Sequence, residues 1–359
     1  MTIRAAPVAA MFAAMLVLSA PAAAQSDPAR ASSGNVVLKD FAFQDGKRLT
    51  EVRIGYRTLG EPHRNAKGEI DNAVMILHGT GGNGGNFLAP DLAKALFSAG
   101  APFDKDKYYV ILPDAIGHGA SAKPSDGLRM AFPAYDYADM VETQKRMLAE
   151  KLGVTKLKAI MGMSMGGMVT FQWATTYPDF AEKFIPMGCY PVEIGGQNRM
   201  SRKLQIDAIK GDPGWKGGNY AAQPLGGLRS ATGIAIMMGA SPLNLYTTQP
   251  TRAIADKALD EAIAGRLDGA DANDLIYQVD ASRNYNPWDK LARIKAPLLW
   301  INFADDQVNP ASLDIAPEAL KRIPNAHFVL VPASKETRGH GTLFMPQYWL
   351  SHVARFMAG

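Results

Sequence analysis

The chain is almost without cysteine: among 359 residues only Cys189 carries a thiol. No intrachain disulfide can form, whatever the redox state of the compartment. Cys189 ends the apolar run "KFIPMGC" and reads as a small buried hydrophobe rather than a nucleophile. No CxxC, HExxH or spaced His/Cys cluster occurs, which argues against a dedicated metal site, and no cofactor is expected. Basic runs are missing too. The 38 Lys and Arg are interspersed with 34 Asp and Glu, for a formal net charge of +4. Nothing in that charge pattern suggests a nucleic-acid partner. At 47% hydrophobic content the chain has material for one large core that needs no staples.

Only one apolar run stands out, at the N-terminus. "MTIRAAPVAAMFAAMLVLSAPAAAQ" opens with Arg4, is apolar from Val8 to Ala20, and ends in Pro21 and Ala22–Ala24. This is the order of a signal peptide: a basic start, an apolar middle and a small-residue cleavage site. The apolar part is too short to span a bilayer as a helix. Residues 1–24 are therefore expected to be removed, giving a periplasmic or secreted protein that is not membrane-bound. The absence of cysteine at the cleavage site excludes a lipid anchor there. Residues 25–35 read as a flexible lead.

From there, β-type runs alternate with helical ones. "NVVLKDFAF" and "EVRIGYRTLG" read as strands joined by a turn. "AVMILHG" (73–79) is a continuous apolar run suited to a strand buried on both faces, "YYVILPD" (108–114), "KLKAIMGM" and "KFIPMGC" are further such runs, and "PLLWINFADD" and "HFVLVPA" come late. Residues 137–152 carry apolar residues on one helical face. The expected fold class is α/β, with a mostly parallel central sheet flanked by helices. Between 191 and 289 the rhythm changes to Gly, Pro and Asn-rich turns and helical stretches. This part is expected to be a helical lid inserted into a core made of 36–190 and 290–359.

In a parallel sheet the active site lies beyond the carboxyl ends of the strands. "KLKAIMGM" delivers Gly162-Met163-Ser164-Met165-Gly166, the G-x-S-x-G pattern that presents a serine on a strained turn between strand and helix. A serine needs a base, usually a histidine oriented by a carboxylate, and in this architecture the chain order is Ser, acid, His. Of the three late histidines, His327 opens a strand at the wrong edge of the sheet and His352 lies in the terminal helix. His340, in "TRGHGTLF", follows a strand and is the expected base. The acid should follow "PLLWINF", where "ADDQVNP" offers Asp305 and Asp306. Spacing to Pro310 favours Asp306, with Asp305 as the fallback. Acyl transfer also needs oxyanion donors. The backbone N–H of Met165 is one, and that of Thr80, in "HGTGG", the other.

These strand-end motifs, "LHGTGG", "PDAIGHGASAKP", "GMSMGGM", "DDQVNP" and "GHGTLF", resemble in order those of the α/β-hydrolase superfamily, over about residues 36 to 359. "IGYRTLGEP", "GMSMGGM", "DPGWKGGNY" and "GHGTLF" are more narrowly similar to the homoserine O-acetyltransferase branch. The resemblance implies a Ser164–Asp306–His340 triad, an oxyanion hole and a helical lid, with Asp114 and His118 as scaffold. The chain departs from that branch at Met163 and Val169, and at "HGTGG", where the branch usually reads "HALTG".

An exported enzyme would not meet cytoplasmic acyl-CoA. The expected function is thus hydrolysis of a carboxylic ester, the partner being a small-molecule ester substrate. Acyl transfer to an alcohol or amine is the alternative. A non-catalytic binder would usually have lost a triad residue, and none is lost. A homodimer is left open.

Overall fold

The central apolar runs pair on both sides, and the last one pairs on one side, at the sheet's edge. In the computed structural model, which describes residues 31–359, eight strands form one sheet in the order β1-β2-β4-β3-β5-β6-β7-β8. β1 (Ser32–Ala42) and β2 (Arg48–Leu59) make an antiparallel hairpin at one edge. β2 runs antiparallel to β4 (Tyr109–Pro113). β4, β3 (Ala73–Leu77), β5 (Ala159–Met163), β6 (Phe184–Met187), β7 (Leu298–Phe303) and β8 (Ala326–Val331) are parallel neighbours in that order. The expected α/β sheet is thus observed. The expected signal peptide, 1–24, lies outside the described residues. The expected lead, 25–35, is corrected at its end: Ser32–Asn35 are strand, because they pair in register with Thr58–Gly55 of β2.

Each buried run serves two cores, because alternate side chains point to opposite faces. Met75 and Leu77 join the face covered by α2 (Tyr137–Met147) and α3 (Met165–Thr176). Val74 and Ile76 join the face covered by α1 (Pro90–Phe97) and α10 (Leu350–Ala358). The helix expected over 137–152 starts at the Asp136 cap, whose side chain accepts from the Ala138 and Asp139 amides. Its last turn, Leu148–Leu152, widens to a π-type turn and is stopped by Gly153 in the left-handed region.

The chain leaves β3 through α1 for β4 on one side, and leaves β5 through α3 for β6 on the other. β3 and β5 are adjacent, so their following loops diverge and open a crevice there. Between β6 and β7 lie α4 (Gly196–Lys210), α5 (Leu225–Gly239), α6 (Pro242–Thr248), α7 (Arg252–Leu267) and α8 (Ala272–Asp280), with no strand among them. Ile209, Tyr220, Leu228, Ala231, Ala272 and Ile276 give these helices a small core of their own.

Candidate active site

Ser164 follows β5 and starts α3, with φ 55° and ψ −115°. Few L residues adopt that conformation, and it persists only where the surroundings hold it. Here they do: the Ser164 amide donates to Met187 O at 2.8 Å, and Ser164 O accepts from the Met168 amide at 3.0 Å. The glycines have a steric reason. A Cβ at Gly162 would come within 2.0 Å of Gly166 O, and one at Gly166 within 2.2 Å of Leu77 O. α3 is buried almost all round, wedged between the sheet and α2. Its N-terminal dipole ends at Ser164, where negative charge would be favoured.

His340 lies in a 3₁₀ segment, Gly339–Phe344, after β8. Its Nε2 is 2.7 Å from Ser164 Oγ, and its Nδ1 is 2.7 Å from Asp306 Oδ2. A carboxylate only accepts, so Nδ1 carries the hydrogen and Nε2 is left to accept from the serine hydroxyl. The Asp306 side chain is fully buried. Its Oδ1 accepts from the Val308 amide at 2.8 Å and the Asn309 amide at 3.2 Å. The Asn309 side-chain amide adds a bond to Oδ2 at 3.3 Å. Burial alone would push this carboxyl upward. The charge and hydrogen bond of His340, then Asn309 and Val308, outweigh it and hold Asp306 below the usual carboxylate range.

Asp305 does something else. Its Oδ2 accepts from Thr337 Oγ1 at 2.8 Å and from the Gly339 amide at 3.1 Å. It therefore ties down the loop that carries His340, while Asp306 alone of the two bonds the imidazole.

Thr80 lies in the loop after β3. A turn over Gly79–Gly82 closes with the Gly82 amide on Gly79 O at 3.0 Å, and Gly81 takes φ 74°, the position a type II turn reserves for glycine. The loop rests on the serine: a Cβ at Gly79 would sit 3.3 Å from Ser164 Cβ. Among the described residues neither the Thr80 nor the Met165 amide donates to a protein acceptor. Both N–H groups are free for a bound oxygen.

His78 fixes this loop from below. Its Nε2 accepts from the Ala115 amide at 3.0 Å, so its Nδ1 bears the hydrogen and donates to Gly79 O at 2.8 Å. Burial pushes its pKa down, which keeps it neutral. Asp114, fully buried, accepts from Arg57 Nη1 at 2.7 Å and from the Gly84 and Ala120 amides at 2.8 Å each. It ties the turn after β4 to the segment that follows the Thr80 loop. His118 is buried 5.0 Å from His78, ring centre to ring centre.

The other late histidines, the cysteine and the arginines of the region between β6 and β7 lie elsewhere. His327 pairs on β8 with Leu299, and His352 is in α10. Cys189 is fully buried, and burial pushes its thiol well above the ordinary value. Arg202 bonds Asn198 Oδ1 and Val279 O, Arg229 pairs with Asp260, and Arg199 lies 3.9 Å from Asp280. Arg199 also lines a cleft of about 300 Å³ between α4 and α8 that includes none of the residues around Ser164. Sequence reasoning missed the parts played by His78, Asn309 and Thr337. Asn309 and Thr337 stand inside "DDQVNP" and "TRGHG", beside the residues they orient.

A family model described as alpha/beta hydrolase fold matches residues 72–336. A probable acyltransferase of Methanothermobacter thermautotrophicus is 31% identical over 294 residues, 82% of this chain and 88% of that protein. A homoserine O-acetyltransferase of Solidesulfovibrio magneticus is 28% identical over 368 residues, 88% of this chain and 89% of that protein. In fold, the chain is similar to a homoserine O-acetyltransferase from Bacillus anthracis, with TM-score 0.79, 22% identity and 91% and 97% of the two chains covered. It is equally similar to the acetyl esterase MekB, with TM-score 0.80, 22% identity and 91% and 97% covered.

Proposed function

This chain belongs to the α/β-hydrolase fold family, and we propose that it is an exported serine hydrolase cleaving a small carboxylic ester through an acyl-enzyme. The observation that carries the reading is the unbroken chain of 2.7 Å contacts from Ser164 Oγ through His340 to Asp306. Ser164 Oγ attacks the ester carbonyl carbon while its proton passes to His340 Nε2. Asp306 stabilises the imidazolium. The carbonyl oxygen becomes an oxyanion between the Thr80 and Met165 amides, each worth about 3 kcal/mol of barrier. Collapse expels the alkoxide, which takes the proton from His340 Nε2. Water then attacks the acyl-serine and gives a proton to the same nitrogen. The acid leaves and Ser164 regains its hydrogen.

The same acyl-enzyme would serve a transferase, and relatives of both kinds occur. Hydrolysis is favoured by the expected export, read from residues 1–24 alone, which separates the protein from acyl-CoA. N-terminal sequencing of the protein recovered from outside the inner membrane should begin near Gln25.

Six apolar residues of the region between β6 and β7 could line a pocket for the acyl group. Ile234, Ile236, Met238 and Leu245 are half-buried, and Met237 and Leu243 are exposed. None belongs to the small core of that region. α5, which carries four of them, packs against the His340 segment. This supports an apolar or aromatic acyl group lying against α5.

The deciding experiment is hydrolysis of an ester panel with and without alcohol acceptors, beside acetyl-CoA with homoserine. The reading expects ester hydrolysis that acceptors barely divert. Acetyl transfer to homoserine with no ester hydrolysis would overturn it.

A further inference from the structure

Thr80 has a second donor that the mechanism above does not use. Its Oγ1 is buried without a hydrogen-bond partner among the described residues. Buried hydroxyls are nearly always satisfied, and an unsatisfied one asks for an explanation. This one belongs to the residue whose own amide, free of any protein acceptor among the described residues, is an expected oxyanion donor. Its loop is fixed in place: the Gly79–Gly82 turn is closed by hydrogen bond, His78 bonds Gly79 O from beneath, and a Cβ on Gly79 would meet Ser164. A hydroxyl left without a protein partner costs stability, and an acceptor brought by the substrate would recover it.

We propose that the Thr80 hydroxyl is a third oxyanion donor, acting with the Thr80 and Met165 amides on the tetrahedral intermediate of ester cleavage. The inference rests on the serine-hydrolase reading. A threonine supplies both bonds from one anchored residue: the amide is fixed by the turn, and the hydroxyl rotates about one stiff χ1. Because the hydroxyl meets full negative charge only after Ser164 has attacked, its contribution falls on kcat and leaves KM nearly alone. No proton is transferred: the hydroxyl keeps its hydrogen and donates it in a bond that strengthens as charge develops.

The test uses wild type, Thr80→Val and Thr80→Ser. Valine keeps the shape and the backbone amide and removes only the hydroxyl; serine restores the hydroxyl without the methyl group. Each is assayed on p-nitrophenyl acetate, and each is titrated with a trifluoromethyl ketone, which forms a tetrahedral adduct on the serine. Thr80→Val should lose about 100-fold in kcat with little change in KM, the loss seen when one oxyanion donor is removed. Affinity for the ketone should fall by the same factor, and Thr80→Ser should recover most of both. The inference is overturned if Thr80→Val keeps its kcat and its ketone affinity. It is overturned equally if Thr80→Ser is as impaired as Thr80→Val, since then the methyl group and not the hydroxyl matters. Fluorophosphonate labelling of wild-type Ser164 is run alongside. Absence of labelling there sinks the hydrolase reading itself, whereas labelled protein with an unaffected Thr80→Val sinks only the third donor.

Discussion

The tripeptide Gly-His-Gly occurs twice, at 117–119 after β4 and at 339–341 after β8. Both histidines sit at the same edge of the sheet, yet their surroundings differ in kind. His340 has a carboxylate on one nitrogen and a hydroxyl on the other, and is partly open to solvent. His118 has only the Ile116 carbonyl, at 3.0 Å, and its Nε2 has no partner among the described residues. Burial first, then neighbouring His78, pushes its pKa down to about 3. One ring is placed to exchange a proton and the other is held neutral. The aspartates divide in the same way. Asp306 bonds an imidazole, and Asp114 bonds a guanidinium and two amides. A motif therefore brings a residue type to the active edge, and its partners decide the chemistry.

The contrast can be broken first at the nucleophile and base. Ser164→Ala and His340→Gln should each cost about 10⁴-fold or more in ester hydrolysis, while His118→Gln keeps kcat within an order of magnitude. Steady-state kinetics on folded, purified variants checks this.

The acids come next. Asp306→Asn removes the carboxylate that holds the ring tautomer and should lower kcat about 10⁴-fold. Asp305→Asn keeps an oxygen able to accept from Thr337 and Gly339, so it should lose far less. If Asp305→Asn proves the more damaging of the two, the assignment on the imidazole is wrong.

Asp114→Ala should act on stability instead. It leaves the half-buried Arg57 and the Gly84 and Ala120 amides without their acceptor and should cost about 3 kcal/mol in urea unfolding. The molecules that remain folded should still label with a fluorophosphonate.

The last effect is a pH dependence. His118 has a folded pKa of about 3, below the ordinary 6.5. Between those values the unfolded chain binds the extra proton. Its contribution is therefore complete above pH 6.5 and is lost as pH falls toward 3, by up to about 1.4 kcal/mol per unit. Asp139 and Asp274, raised to about 6 by burial, act with the opposite sign, losing stability as pH rises through 6. The comparison is thus wild type against His118→Gln. The variant should lose less stability between pH 6.5 and 4.

Much of this was legible in the sequence because strands buried on both faces write themselves as unbroken apolar runs. "AVMIL" and "YVILP" are short, rich in β-branched residues and bounded by turn residues, which favours strand over helix. Ser164 was legible through its glycines, whose spacing encodes a close strand–helix approach. Asp305 and Asp306 were not separable with certainty. Adjacent residues at a strand's end diverge, and which one meets His340 depends on the path of a loop 34 residues away. The tautomer of His78 was hidden for a similar reason, since it is set by Ala115, 37 residues distant. β1 starts earlier than expected because pairing with β2 overrides the polar composition of "SSGN".

The central claim is that Ser164 carries the acyl group. Wild type mixed with p-nitrophenyl acetate, quenched in acid and digested, should yield one acetylated peptide, modified at Ser164, that is absent from Ser164→Ala. Turnover of the ester with no acetyl on Ser164, or with the acetyl on another residue, would contradict the account.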